Sequence, residues 1–377
     1  MRALISGAGI GGLTAAIALR NIGLEVSVFE RTEELREAGA GLELWSNATR
    51  ALESLGFTDT LREIGAPVKE GRILSPKGKV ISKVSLGRTA ETLFLAVHRA
   101  ELLSIFLGEL GEGTLNLGSE CVGFGQDDAG VTAYLRDGGE ERGDLLVGAD
   151  GLNSTVRRRL FGGSGPRYAG YTAWRGVSRF EHELVGPGIG FESWGRGLRF
   201  GCNNLGGGRV YWFVSKNAPE GEDNGLKDDR PALLEMFRGW HEPIPALIQA
   251  TPEEDVRRDD IYDRPPIKSW GEGRVTLLGD AAHPMTPNLA QGACQAIEDA
   301  VVLAKCLNGA GSMEDALKLY EKRRVGRAAM FVRRSRLLGR VGQMENPLAC
   351  RIRDSLVGRV PGRVQSRQLQ RLLAYEL

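Results

Sequence analysis

The chain predicts an α/β protein: a Rossmann-like nucleotide-binding domain, interrupted by an inserted mixed or antiparallel β-sheet domain and closed by C-terminal helices. Three observations carry this. Residues 2–30 read as strand, glycine-rich turn (GxGxxG), helix and second strand. Residues 168–262 change texture to alternating, aromatic-rich strands punctuated by glycine. Beyond Leu307 the pattern is helical, with a break at Asn346-Pro347.

The first strand, 2–6, runs straight into Gly-Ala-Gly-Ile-Gly-Gly at 7–12. Leu13, Ala16, Ile17 and Leu19 then repeat at helical spacing, Gly23 ends the helix, and 24–29 forms a second strand closed by Glu30. Gly7 permits the tight turn, Gly9 lets the backbone approach a pyrophosphate, and Gly12 lets helix and strand pack closely. Glu30 ends the second strand, where a carboxylate binds an adenosine ribose through its hydroxyls. An acid there disfavours a 2′-phosphate, so the pattern points to FAD or NAD(H) at this site rather than NADP(H).

Ala38-Gly39-Ala40-Gly41 follows, then Leu42 to Trp45 and a helix over about 47–56. The glycines suit close approach to a flat ring or packing over the first helix. Residues 72–86 read as two short strands around Pro76-Lys77-Gly78, a first visit to a second layer. Residues 98–110 form an amphipathic helix with Leu102, Leu103, Phe106 and Leu110 on one face. Arg99 lies in its first turn, off that stripe, placed either to reach a phosphate or, as is commoner for an arginine in a first turn, to meet solvent. Strands at about 114–117, 120–126 and 131–136 make a meander.

A second strand-turn, 145–149, delivers Asp150-Gly151 and a Ser-x-Val-Arg run ending at Arg157. Ligands of open α/β sheets bind at such carboxyl ends. No second GxGxxG occurs, so a nicotinamide nucleotide has no Rossmann domain of its own. A third strand, 275–278, turns on Gly279-Asp280, crosses a loop with His283, Pro284 and Pro287, and launches a helix at Gly292. A carboxylate followed by a helix N-terminus suits a polar, partly anionic cofactor. Within the aromatic region, a hairpin of 198–202 and 210–214 with 199 opposite 211 places Arg199, Tyr211 and Phe213 on one face. Phe200, Val210 and Trp212 occupy the other. Most of these aromatics are core, but an arginine among them needs a partner.

Composition narrows the class. With 49 basic against 48 acidic residues, nothing indicates nucleic acid. Basic residues concentrate late, from Lys318 to Arg371, where Arg323, Arg324, Arg327, Arg333, Arg334, Arg336 and Arg340 face few carboxylates. That stretch reads as a solvated helical face or subunit contact in preference to a nucleic-acid or lipid patch. Five scattered cysteines without CxxC argue against disulfides and zinc, so no metal is expected. No signal peptide and no bilayer-length apolar stretch are read, so the expected location is cytoplasmic, without integral membrane segments.

The three motifs in order, GAGIGG with Glu30, GADG with Ser154 to Arg157, and GDAAHPMTP through Gly292, resemble the single-component (group A) FAD-dependent monooxygenases of the aromatic-hydroxylase type. YAGYTAWRG and GRGLRFG with GRVYWF are similar to the branch containing FAD-dependent urate hydroxylase and zeaxanthin epoxidase-like enzymes. The resemblance implies a p-hydroxybenzoate hydroxylase-like fold, with FAD-binding parts at 1–70, 95–165 and 266–310. A sheet excursion at 71–94, a substrate domain at 166–265 and terminal helices at 311–377 complete it. Gly7, Gly9, Gly12, Glu30, Arg31, Gly41, Arg99, Cys121, Asp150, Asp280, Gly292 and Ala293 are then cofactor-binding. Trp45, Arg175, Arg199, Tyr211, Phe213 and Pro284 face substrate, and Arg199, Tyr211, His283 and Pro287 serve catalysis.

The implied activity is hydroxylation or epoxidation of a small planar aromatic or alkene substrate through a flavin C4a-hydroperoxide, with NADH or NADPH and O2 as co-substrates. A monomer or homodimer is expected. A non-oxygenating FAD oxidoreductase, or a flavoprotein that binds without turnover, is the alternative. A halogenase is disfavoured because Trp174-Arg175-Gly176 does not give WxWxIP. Ala290 replaces a glycine common in relatives, Cys294 a small residue or asparagine, and Arg175 the asparagine of the urate pattern, which argues against urate as substrate.

Overall fold

The computed structural model describes all residues except 36–39, 87–92, 164 and 223–227. Ala38 and Gly39 of the glycine-flanked segment therefore lie outside the described residues.

A six-stranded sheet forms the first layer, in the order 271–272, 275–277, 145–148, 2–6, 25–29, 115–116. Its four central strands are parallel, with Ile5 in register with both Val28 and Val147, and Val147 with Thr276. Parallel strands buried on both faces need apolar side chains throughout. Ala3, Leu4, Ile5, Val28, Leu145, Leu146, Val147, Val275 and Leu277 are accordingly inaccessible to solvent. In-register parallel strands bring their carboxyl ends to one edge. That edge gathers Gly7, Glu30, Asp150 and Asp280 from four distant segments.

The second layer is a seven-stranded sheet ordered 257–263, 167–179, 209–217, 198–206, 189–194, 70–74, 80–85. It is antiparallel except where 189–194 runs parallel to 70–74. The expected hairpin is present with a shifted register: Arg199 pairs with Ser215, and Asn203 with Tyr211. The two-residue turn lies at Gly207-Gly208, later than expected. Because the shift is even, side chains keep their faces. Phe200, Val210 and Trp212 point into an apolar core with Phe237 and Leu247, whereas Arg199, Tyr211 and Phe213 line a cavity on the other face.

Three helices, Met313–Gly342, Pro347–Arg359 and Gly362–Leu373, follow the Gly292–Gly309 helix. Asn346 caps the second through its side-chain oxygen, which accepts from the amides of Leu348 and Ala349. The basic run is less solvated than its composition indicates. Arg324 is fully buried against Glu298 and Asp299, Arg327 pairs with Glu298, and Arg336 with Asp263. Their carboxylate partners lie elsewhere in the sequence and are supplied by tertiary packing.

Candidate flavin and substrate site

At the sheet edge, Gly7 adopts φ +105°, and a Cβ there would lie 2.5 Å from the Ala149 carbonyl oxygen. A Cβ on Gly12 would fall on the Gly7 carbonyl. Gly9 is different: nothing lies within 4 Å of its would-be Cβ. It precedes the helix Ile10–Asn21, whose N-terminus carries no side-chain cap and no acidic residue in its first turn. The turn is thus closed where chain meets chain and open where a phosphate would approach. The Glu30 carboxylate accepts from the Ala8 amide at 2.9 Å and from the Thr32 amide at 3.1 Å, placing it beside the turn. Arg31 is exposed. Cys121 is buried at the start of the strand Cys121–Asp127, where burial pushes its thiol pKa up.

Asp150 is used locally. Its carboxylate accepts from the Ser154 hydroxyl at 2.5 Å and from the Thr155 and Val156 amides at 2.7 and 3.2 Å, anchoring the Thr155–Phe161 helix. Arg157, quoted in the motif without a role, donates to the carbonyls of Ala281 and Ala282 at 2.9 and 2.8 Å. Burial brings its pKa down to about 10. It thereby ties the second strand-turn to the third. Asp280 opens on the cleft although protein surrounds it. Burial raises its carboxyl pKa, while His283 and Arg99 pull it down. Arg99 is itself lowered by burial and by Arg175, and Asp280 opposes this.

In front of this edge lies a cavity of about 600 Å3, walled by the seven-stranded sheet on one side and by residues 285–293 on another. Gly292 and Ala293, the first residues of the Gly292–Gly309 helix, form one end with Pro287 and Asp280. No side chain caps that helix and its first turn carries no acid, so its partial positive charge is directed at the cavity. Ala290, just before it, has φ 48° and is the one non-glycine residue with positive φ among those described. Glycine adopts this left-handed backbone more readily than alanine does. Cys294 is buried, its thiol donating to the Glu43 carbonyl at 3.4 Å, and burial pushes its pKa up to about 12. It is a packing residue, not an exposed nucleophile.

Tyr211, Phe213, Arg175, Arg199 and Trp45 all line the cavity, as does Gly41, whose missing Cβ makes room for the Tyr211 ring. Arg175 donates to Asp259 at 2.6 Å and stands beside Tyr211. Burial raises the Tyr211 pKa against Arg175, so its phenol stays protonated and can donate. Arg199 is already engaged: it donates to Gln343 at 2.7 Å, Glu192 at 2.9 Å and Asn288 at 2.6 Å. It clamps the sheet to the Pro287–Leu289 turn and to the end of the long helix.

Two expected site residues lie elsewhere. His283 is buried, with Nε2 2.5 Å from Asp299, and lines no part of the cavity. Pro284 is also buried and outside the lining. His283 turns onto Asp299 of the Gly292–Gly309 helix, and the Pro284 carbonyl accepts from the Arg264 amide at 3.4 Å.

The residue that sequence reasoning missed is Glu43. Its carboxylate forms part of the cavity wall and accepts from Asn203 at 2.5 Å. Burial raises its pKa to about 7, only partly offset by Asn203 and the Trp45 indole, and Glu192 pushes it further up. The folded carboxyl therefore keeps its proton across a range in which an unfolded glutamate, near 4.5, has lost it. The native state binds more protons there, so stability is full below about 4.5 and declines as pH rises through about 7. Glu43→Gln should flatten that decline and raise stability above neutrality by roughly 1–3 kcal/mol. Thermal melts across pH check this; an unchanged slope would refute it. Glu43 was hidden because it stands as a lone acid between Leu42 and Leu44, where a carboxylate ordinarily turns to solvent.

The model of the FAD binding domain family matches residues 1–171 and 258–335, leaving out most of the inserted sheet. The chain belongs to this family of FAD-dependent monooxygenases. It is 45% identical over 357 residues to aurachin C monooxygenase/isomerase of Stigmatella aurantiaca, covering 94% of this chain and 93% of that protein. It is 34% identical over 342 residues to FAD-dependent urate hydroxylase of Klebsiella pneumoniae, covering 89% of each. The solved structure of Klebsiella pneumoniae HpxO complexed with FAD and uric acid superposes with TM-score 0.93 at 30% identity, covering 99% of this chain and 96% of that one.

The monooxygenase fold thus matches the expected architecture, and FAD is its cofactor. The residues fit that group: an open Gly9 before an uncapped helix, Glu30 at the turn, and Asp280 with Arg99 at the cleft. Among the described residues, no group of His, Cys, Asp and Glu is arranged to hold a metal, and no helix is long and apolar enough to cross a membrane.

Proposed function

We propose that this monooxygenase uses NADH or NADPH and O2 to hydroxylate or epoxidise a small planar aromatic or unsaturated substrate held against Tyr211 and Glu43. The observation that carries this is the cavity itself, with the Gly292 helix start and Pro287 at one end and a wall of hydrogen-bonding groups beside it. Bound FAD would supply the reductive activation of O2. Gly7, Gly9, Gly12 and Glu30 would hold its adenosine diphosphate portion, and Arg99 and Asp280 its central chain.

The protein's own groups then do the positioning. The Tyr211 phenol donates to a substrate carbonyl or oxyanion, and Arg175 beside it favours a partial negative charge. Glu43, held by Asn203 directly across the sheet register from Tyr211, handles the other polarity: protonated it donates, and ionised it accepts a proton from an acidic O–H or N–H of the substrate. Phe213, Trp45 and Phe94 exclude water from the reacting face. Arg199 acts as a positioning residue, holding the Pro287–Leu289 turn in place.

The test is direct. The purified protein is expected to be yellow and to oxidise NADH or NADPH faster when one of a panel of phenols, quinolones or polyenes is added. Ligand-accelerated flavin reduction without an oxygenated product would favour a non-oxygenating oxidoreductase. Ligand binding with no reduction would favour a carrier.

A further inference from the structure

The C-terminal helices carry a surface that the reaction does not use. On the helix Pro347–Arg359, Leu348, Ile352 and Leu356 recur every fourth residue and are 66%, 52% and 57% exposed. Cys350 and Arg353, on the opposite side of that helix, are buried. Side chains of this size at that spacing would ordinarily face a core, and three exposed together form an apolar ridge. Val360 and Val364 extend exposed apolar surface into the next helix.

That helix, Gly362–Leu373, presents Arg363, Arg367 and Arg371 as an exposed row at the same spacing. Its other side is used inwardly: Gln365 and Leu369 line the cavity, and Gln365 donates to Ser82 at 2.9 Å. Across 345–373 there are six arginines and two acids, Glu345 and Asp354, and Asp354 is paired with Arg353. An apolar ridge beside an arginine row that pairs with no carboxylate among the described residues is the pattern of a helix pair lying in a membrane interface. A second copy of the same face is a poor occupant, because a two-fold contact sets like charges against each other.

We propose that the 347–373 face is a peripheral docking surface for an anionic lipid leaflet. Leu348, Ile352 and Leu356 enter the boundary between headgroups and acyl chains, and Arg363, Arg367 and Arg371 meet the lipid phosphates. This is surface attachment without a spanning segment. It also sets the wall of the cavity formed by Gln365 and Leu369 close to the membrane.

The experiment is cosedimentation of the full-length holoenzyme with vesicles of equal parts phosphatidylserine and phosphatidylcholine, against vesicles of phosphatidylcholine alone. Binding is expected only to the anionic vesicles, and it should weaken as salt is raised. The combined variant L348S/I352S/L356S and, separately, R363Q/R367Q/R371Q should each lower partitioning by about tenfold or more. Flavin content and melting temperature serve as the folding check on both. Wild-type protein that stays in the supernatant, or folded variants that pellet equally well, would overturn the proposal. So would self-association in sedimentation velocity that the leucine-ridge variant abolishes, since a second copy would then cover the face.

Discussion

Arg324→Ala is expected to destabilise the protein by roughly 3–5 kcal/mol, enough to unfold much of it under ordinary assay conditions. Arg324 is fully buried, and its guanidinium donates to Asp299 at 2.7 Å, to Glu298, and to the Gln295 side chain at 2.8 Å. Burial alone would raise the carboxyl pKa of both acids. For Asp299, attraction from His283 and Arg324 and hydrogen bonds from His283 and the Gly279 amide reverse this and hold it at about 2. Glu298 is likewise held below its ordinary value, through Arg324 and Arg327. Removing Arg324 strands carboxylates in the interior, and that penalty dominates over the lost packing. Because the native pKa of Asp299 is depressed, its contribution is intact above about 3.8 and is lost as pH falls through about 2.

The network reaches the site: Asp299 accepts from the Gly279 amide at 3.0 Å, and Glu298 accepts from Asn47 at 2.5 Å. Any Arg324→Ala protein that survives should therefore also retain less FAD. Arg324→Lys keeps the charge without the planar fork and should recover only part of the loss. Denaturant titration and flavin absorbance measure both effects; a variant within about 0.5 kcal/mol of wild type would refute this account.

Gly12→Ala and Gly9→Ala are expected to fail differently. The new Cβ at position 12 meets the Gly7 carbonyl, a backbone atom that cannot rotate away. The turn must deform, with a cost of about 1–3 kcal/mol and loss of bound flavin. At position 9 the new methyl meets no protein atom within 4 Å, so folding should be normal. It does occupy the approach to the helix N-terminus, and FAD affinity should fall by about tenfold or more. Melting temperature separates the two variants, and flavin retention groups them. Gly9→Ala that binds FAD normally would show that the phosphate does not approach there.

These contrasts mark how far the sequence could be read. The β–α–β start, the two later strand-turns and the Gly292 helix were legible because each rests on local periodicity and glycine placement. Their meeting at one sheet edge follows from parallel pairing. The faces of the 198–217 hairpin were legible too, since alternation survives an even shift in register, although the register itself depended on a turn that formed later at Gly207-Gly208. Glu43 and Arg324 were not legible. Each looks solvated in its own segment, a lone acid in a short strand and one arginine in a basic run. Only contacts across more than a hundred residues for Glu43, and between two packed helices for Arg324, place them inside. His283 misled in the reverse direction: a histidine in a motif loop invites a catalytic role, and packing turns it toward Asp299.

The most direct test of the central claim is turnover under isotopically heavy dioxygen, with NADH or NADPH and the ligand that most accelerates flavin reduction. The account predicts one heavy oxygen atom in the product and the other in water, with product formation lost in Tyr211→Phe/Glu43→Gln protein that still binds FAD. Product oxygen drawn from solvent water, or nicotinamide oxidation yielding hydrogen peroxide with every ligand in the panel, would contradict it.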